Sequence, residues 1–165
     1  MRTPALLTTG LAVVSLASAC SSGRTVSAHG VRVSVPGGWH VVAPATSAVT
    51  DPDTLLVVGT AGVRAKQSRC QIMAYRVPAR GAVVVVVGWK NASLAGGLPR
   101  GGRAPLKKLL AVARPSFECF SGRGAAADVG LAGRAYQVNV MVGDRASKDL
   151  VARALAVARS FDRAR

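Results

Sequence analysis

Five consecutive valines, Val83 to Val87, framed by Ala82, Gly88 and Trp89, constrain this chain more than any other segment. Branching at Cβ stiffens each valine and favours extended backbone. Because the run contains no polar residue, both faces of the strand it forms are apolar, and only cover on both sides hides them. The run is far shorter than the roughly 20 residues of a membrane-spanning helix. Ala82 to Trp89 is therefore expected as the central strand of a sheet that is packed on each face.

The rest of the chain supplies neighbours for that strand. Val31, Val33 and Val35 alternate with Arg32 and Ser34, the period of a half-buried strand over Gly30 to Pro36. Pro36-Gly37-Gly38 ends it with turn chemistry, and Trp39 is placed to close one end of a core. Asp51-Pro52-Asp53 marks a second turn before an apolar strand, Thr54 to Thr60, and Gln71 to Val77 gives a third candidate. Tyr136, Val138, Val140 and Val142 occupy one face of a later strand, with Gln137, Asn139 and Met141 on the other. From Ala146 to Phe161 the period changes: Leu150, Ala154, Val157, Ala158 and Phe161 form a helical stripe, edged by Val151 and Leu155, with Asp144 or Ser147 available as N-cap. Asn91 to Arg103 reads as an exposed glycine-rich loop, and Phe117 to Phe120 as a strand. Pro105 to Arg114 fits a short helix through Leu106, Leu109, Leu110 and Ala113, or a strand. Hydrophobic residues make up 50 % of the chain but aromatics only 4 %, so the core must be built from Val, Leu and Ala. These patterns predict one α+β domain over residues 30–165, mainly an antiparallel β-sheet with a C-terminal amphipathic helix packed on it.

The first residues have a different character. Met1 and Arg2 precede a stretch from Ala5 to Leu16 made largely of Ala, Leu and Val, too short to span a bilayer and closed by small residues. It reads as a signal peptide over residues 1–19. Leu16-Ala17-Ser18-Ala19-Cys20 resembles the bacterial lipobox, in which an aliphatic residue and two small ones precede a cysteine that accepts diacylglycerol. The leucine stands four residues before Cys20 instead of three, with Ala17 in its place. Ala17-Ser18-Ala19 equally satisfies the small-x-small rule of ordinary signal peptidase, which would release a soluble chain starting at Cys20. Residues 20–29 are expected as the lipidated cysteine and a flexible tether.

Three cysteines in an exported chain leave one odd thiol, and lipid on Cys20 removes it. Cys70 and Cys119 can then pair, closing a loop of about fifty residues that stabilises the fold by roughly 4 kcal/mol on the chain-entropy model. The alternatives are two separate buried thiols or a metal pair. For the latter, neither His29 nor His40 has ligand-like spacing to a cysteine. The chain carries 22 basic residues against 7 acidic ones, a net charge of +15. Such a balance steers polyanions toward the surface. No zinc finger, helix-turn-helix or aromatic-rich RNA-binding strand occurs, and an exported protein rarely meets nucleic acid. Anionic lipid and phosphate-bearing wall polymer are the expected partners, set against a merely compositional excess of arginine. Arg64, Lys66 and Arg69 form one candidate anion-binding cluster, although Arg69 would point away from the other two unless the segment bends. A solvated strand edge with gatekeeping charges explains the same residues. Lys107 and Lys108, with Arg100 and Arg103 upstream, form a second basic region.

A valine strand leading into Pro-Gly-Gly-Trp, a middle sheet and a final helix ending Ala-Arg-Ser-Phe together resemble small exported actinobacterial proteins, many of them lipoproteins. Val33-Ser34-Val35-Pro36-Gly37-Gly38-Trp39 is similar to the start of PsbP-like lipoproteins. That resemblance implies an antiparallel sheet flanked by helices and a binding or assembly role, and it transfers no functional residue.

Catalytic patterns are sparse. There is no Gly-x-Ser-x-Gly elbow and no phosphate-cradling glycine loop. His40 beside Trp39 is the one candidate base, with Asp51 or Asp53 as its partner; a solvent-facing strand-end histidine explains it equally. Asp51 and Asp53 supply too few oxygens for calcium. No catalytic residue, metal site or cofactor is assigned. The expectation is a non-enzymatic envelope lipoprotein, anchored at the outer face of the membrane and acting as a binding or accessory module. A soluble secreted enzyme or inhibitor is the second reading, and a polyanion-binding protein using a basic face is the third.

Overall fold

A computed structural model describes residues 23–46, 49–72, 74–91 and 123–164. The fold is α+β and mainly antiparallel, as expected. Its main sheet has five strands in the order β3 (Trp39–Val41), β4 (Asp53–Thr60), β7 (Ala82–Gly88), β9 (Arg134–Val142) and β8 (Arg123–Leu131). The valine run is the middle strand. β7 pairs with β4 from Val83 opposite Gly59 to Gly88 opposite Asp53, and with β9 from Ala82 opposite Val142 to Gly88 opposite Tyr136.

Every residue of β7 is buried, and its alternate side chains enter two separate cores. Ala82, Val84 and Val86 join Leu56, Val58, Val138 and Val140 on one face. There they meet helix α1 (Lys148–Arg159) and a second sheet of β1 (Arg24–Ala28), β2 (Val31–Val35) and β10 (Asp162–Arg163). Val83, Val85 and Val87 face the other way, onto Val57, Met141, Val42, Val63, Ala74 and Tyr75. The last two of these are held by a small pair of strands, β5 (Arg64–Ala65) and β6 (Tyr75–Arg76), and by the segment just before β6. Removing apolar surface from water on both faces, at about 25 cal/mol per Å², is what fixes this strand in the centre.

Helix α1 buries Leu150, Ala154, Leu155, Val157 and Ala158, the stripe read from the sequence, and Ser147 is the N-cap, its Oγ accepting from the Leu150 amide at 3.1 Å. Phe161, just beyond the helix, is fully buried, and its ring centroid lies 5.2 Å from that of Tyr136.

Three elements differ from the sequence reading. Strand β1 starts at Arg24, inside the stretch 20–29 expected as tether: Arg24–Ala28 pairs along the whole of β2. Its hairpin turns on two residues, His29 at φ 47° and Gly30 at φ 78°, the type I′ arrangement that matches strand twist. β8 contains Gly124, Ala125, Ala126, Ala127 and Gly130 and carries little strand propensity of its own. It forms because a second turn of the same kind, Ala132 at φ 50° and Gly133 at φ 75°, folds it back along β9. Among the described residues of 71–77, only Tyr75–Arg76 is strand. Residues 105–114, Phe117 to Phe120 and most of the expected loop 91–103 lie outside the described residues.

Candidate functional site

Hydrogen bonding brings three separate segments together at one end of the main sheet, and a fourth lines the hollow beside them. Asp51 accepts from the Lys90 amide through Oδ1 and from the Asn91 amide through Oδ2, each at 3.0 Å, so the chain leaving β7 is clamped to the turn that starts β4. Lys90 Nζ then lies 2.6 Å from Asp53 Oδ2. The Trp89 amide donates to the Ala135 carbonyl at 3.1 Å, drawing in the β8–β9 hairpin with Arg134. The β1–β2 hairpin contributes His29.

Between these segments lies an open cleft of about 270 Å³, lined by His29, Asp53, Trp89, Lys90, Arg134 and Tyr136 over Leu55 and Gly88. Gly88 keeps the floor of the cleft tight: a Cβ at this position would stand 2.7 Å from Leu55 Cδ1 and 3.1 Å from Tyr136 Cδ1, so those side chains would have to shift. A second hollow of about 230 Å³ shares His29, Asp53 and Leu55 and continues over Ala45, Thr54 and Gln71. Gln71 Nε2 donates to the Pro52 carbonyl, and the Ala45 amide donates to Tyr75 Oη at 3.1 Å. Burial pushes the Tyr75 phenol above its ordinary range, opposed in smaller part by the Ala45 hydrogen bond, so it stays protonated. Small-molecule sites begin near about 300 Å³, so each hollow suits a fragment-sized polar or anionic group. Arg134, His29 and the paired Lys90 supply donors, and Trp89 and Tyr136 supply apolar walls.

The sequence did not single out this cleft. His40, the candidate base, pairs with Gly59 at the opposite end of β4 from Asp53, about 20 Å away at strand spacing. It therefore forms no acid–base pair with Asp51 or Asp53; His29 is the histidine that lies near Asp53. A sequence signal for His29 existed in its position before Gly30 between two alternating segments, a two-residue hairpin pattern.

Of the expected anion cluster, Arg64 and Lys66 are exposed, with the Lys66 amide donating to Ala74 at 2.8 Å. Arg69 follows, exposed, outside the paired residues. The structure adds a residue the sequence reading omitted: Arg76 stands directly opposite Arg64. Cys70 is buried, 7 % exposed. Cys20, Cys119, Arg100, Arg103, Lys107 and Lys108 lie outside the described residues. Among the described residues no three His, Cys, Asp or Glu side chains are grouped to hold a metal, and no helix is long and apolar enough to cross a membrane. Set against known protein families, characterised proteins and solved structures, the chain matches none of them.

Proposed function

We propose that the chain is an exported lipoprotein of the cell envelope, held at the outer face of the membrane by lipid on Cys20, whose α+β domain is a non-enzymatic binding or accessory module. One observation supports this reading most. β1 starts at Arg24 and pairs at once with β2, so only Ser21, Ser22 and Gly23 separate the lipid-accepting cysteine from a folded strand. Four residue steps reach at most about 14 Å. A tether so short is suited to holding a domain close to a surface, and the two chains of a diacylglycerol provide stable attachment where one chain would not. Cys119 is the partner of Cys70 in this reading, since lipid occupies Cys20. The cleft around His29 and Arg134 is then the binding element of the module.

Membrane fractionation and intact mass of the wild type and of Cys20→Ala test the proposal. The wild type is expected in the membrane fraction with the added mass of lipid, and Cys20→Ala in the soluble fraction. A wild-type chain that is soluble, begins at Cys20 and carries no lipid would establish the secreted reading instead.

A further inference from the structure

The direction of the strands sorts the charged residues between two ends of the domain. Arg24 stands opposite Val35, and its Nη2 donates to the Trp39 carbonyl at 3.2 Å. Trp39 in turn stands opposite Thr60. The chain from Cys20 therefore enters the domain beside the Thr60 end of β4. Ala82 is at the same end, its amide donating to Thr60 Oγ1 at 3.0 Å, followed across the sheet by Val142 and Arg123. The connections at this end are packed onto one another: the Arg145 amide donates to the Ala79 carbonyl at 2.8 Å and the Gly143 amide to the Gly81 carbonyl at 2.9 Å. Arg24, Arg64, Arg76, Arg80, Arg123 and Arg145 are all exposed here. Among the described residues in these connections and strand ends, Asp144 is the one carboxylate. Arg64 and Arg76 stand directly opposite each other, a like-charge pairing that destabilises a strand pair unless anions or water screen it.

The far end is different. There Arg32 is paired with Asp162 at 2.9 Å and Lys90 with Asp53, and Asp51 lies beside them. Positive charge is thus concentrated at the end where the tether enters. Five strands at about 4.8 Å spacing make that end roughly 20 Å across, wide enough to meet several headgroups at once.

We propose that this arginine-rich end lies against anionic phospholipid headgroups, which turns the His29–Arg134 cleft away from the bilayer. The orientation rests on the lipid-anchored reading above. The attraction does not, because an arginine near an anionic leaflet is held by charge alone.

The two are separated by using the full mature chain carrying Cys20→Ser, which takes no lipid, in co-sedimentation with vesicles of phosphatidylcholine with and without phosphatidylglycerol. Binding is expected only with phosphatidylglycerol and should weaken as salt rises. Each arginine near the surface contributes about fivefold, so reversing Arg80, Arg123 and Arg145 together to Glu lowers partitioning at least about 100-fold. Reversing Arg153, Arg159 and Arg163, on helix α1 and beyond its far end, is the three-charge control for net charge and should change it only a few-fold. Circular dichroism checks that each variant is folded. The proposal is overturned by equal losses from the two sets of reversals. It is also overturned by an absence of phosphatidylglycerol-dependent binding, including the case in which soluble polyphosphate binds and vesicles do not, which would point to wall polymer. Loss of the lipid adduct in fractionation, with vesicle binding intact, would sink the anchoring reading alone.

Discussion

Gly143→Ala is the substitution for which the structure gives the sharpest expectation. Gly143 has no positive φ, so alanine is compatible with its backbone. On conformational grounds alone the change should stabilise the protein by about 0.4–1 kcal/mol, through the unfolded state. Packing opposes this strongly. A Cβ on Gly143 would lie 2.1 Å from the Pro78 carbonyl oxygen and 2.3 Å from that of Ala79, and these are backbone atoms that cannot swing aside as a side chain can. Relief requires the 78–81 connection to retreat by about 1 Å. That movement would stretch the Gly143 to Gly81 and Arg145 to Ala79 hydrogen bonds, now 2.9 and 2.8 Å, beyond useful length. Two weakened bonds at about 0.5–1.5 kcal/mol each and overpacking of about 1–3 kcal/mol outweigh the entropic gain. The net loss is about 1–5 kcal/mol, or roughly 4–20 °C in Tm for a domain of this size. Thermal unfolding followed by circular dichroism measures it. Gly133→Ala is the comparison, with φ +75° and nothing among the described residues within 4 Å of the new Cβ, so backbone strain of about 1–2 kcal/mol is the cost. A Gly143→Ala protein that melts at or above the parent refutes the reasoning.

Three further outcomes follow from named contacts. Asp51→Ala removes the acceptor of two backbone amides and should cost about 1–3 kcal/mol in urea unfolding, whereas Lys90→Met, which breaks a partly exposed ion pair, should cost under about 1 kcal/mol. Tyr75 has its folded pKa raised above the ordinary 10.0 by burial, so the stability it contributes is complete below pH 10 and is lost as pH rises through the folded value. Tyr75→Phe should flatten that alkaline limb of Tm against pH, and an unchanged limb would assign it to other groups. Asn139 is fully buried on the face shared with Val85 and Met141; its Nδ2 makes one long hydrogen bond, 3.5 Å, to the Val85 carbonyl, and among the described residues its Oδ1 has no hydrogen-bond partner. Asn139→Leu should therefore be neutral or stabilising, and a loss above about 2 kcal/mol would mean that the amide is engaged.

The elements legible in the sequence are those whose period is set by burial. The valine run, the alternation of Val31, Val33 and Val35, the two faces of Tyr136 to Val142 and the helical stripe from Leu150 to Phe161 all meet a core, and all appear where expected. β1 and β8 were not legible, because their existence depends on partners. Val26 is the one core residue of β1, and β8 is built largely of small side chains, so neither displays a pattern until β2 and β9 supply the hydrogen bonds. The cleft was illegible for a related reason. His29, Asp53, Lys90 and Arg134 come from four turns far apart in sequence, and only strand order and register make them neighbours. The pairing of His40 with Asp53 fails on the same ground, since His40 in β3 stands beside Gly59 near one end of β4 and Asp53 begins the other.

The β1–β2 hairpin also has a mechanical consequence. Arg24 and Val35 are its two open ends, so a pull applied at residue 23 loads the inter-strand hydrogen bonds one after another and not all together. β1 can then unzip as far as the turn at His29 and Gly30, while β2 keeps β10 on its other side. The side chain drawn out of the core is that of Val26. Force spectroscopy through residue 23 should register a first extension of about 20 Å, the length of the six residues released, before the main sheet yields. The domain thus has a compliant first stage under tension, and the five-stranded sheet with its cleft is mechanically insulated behind it.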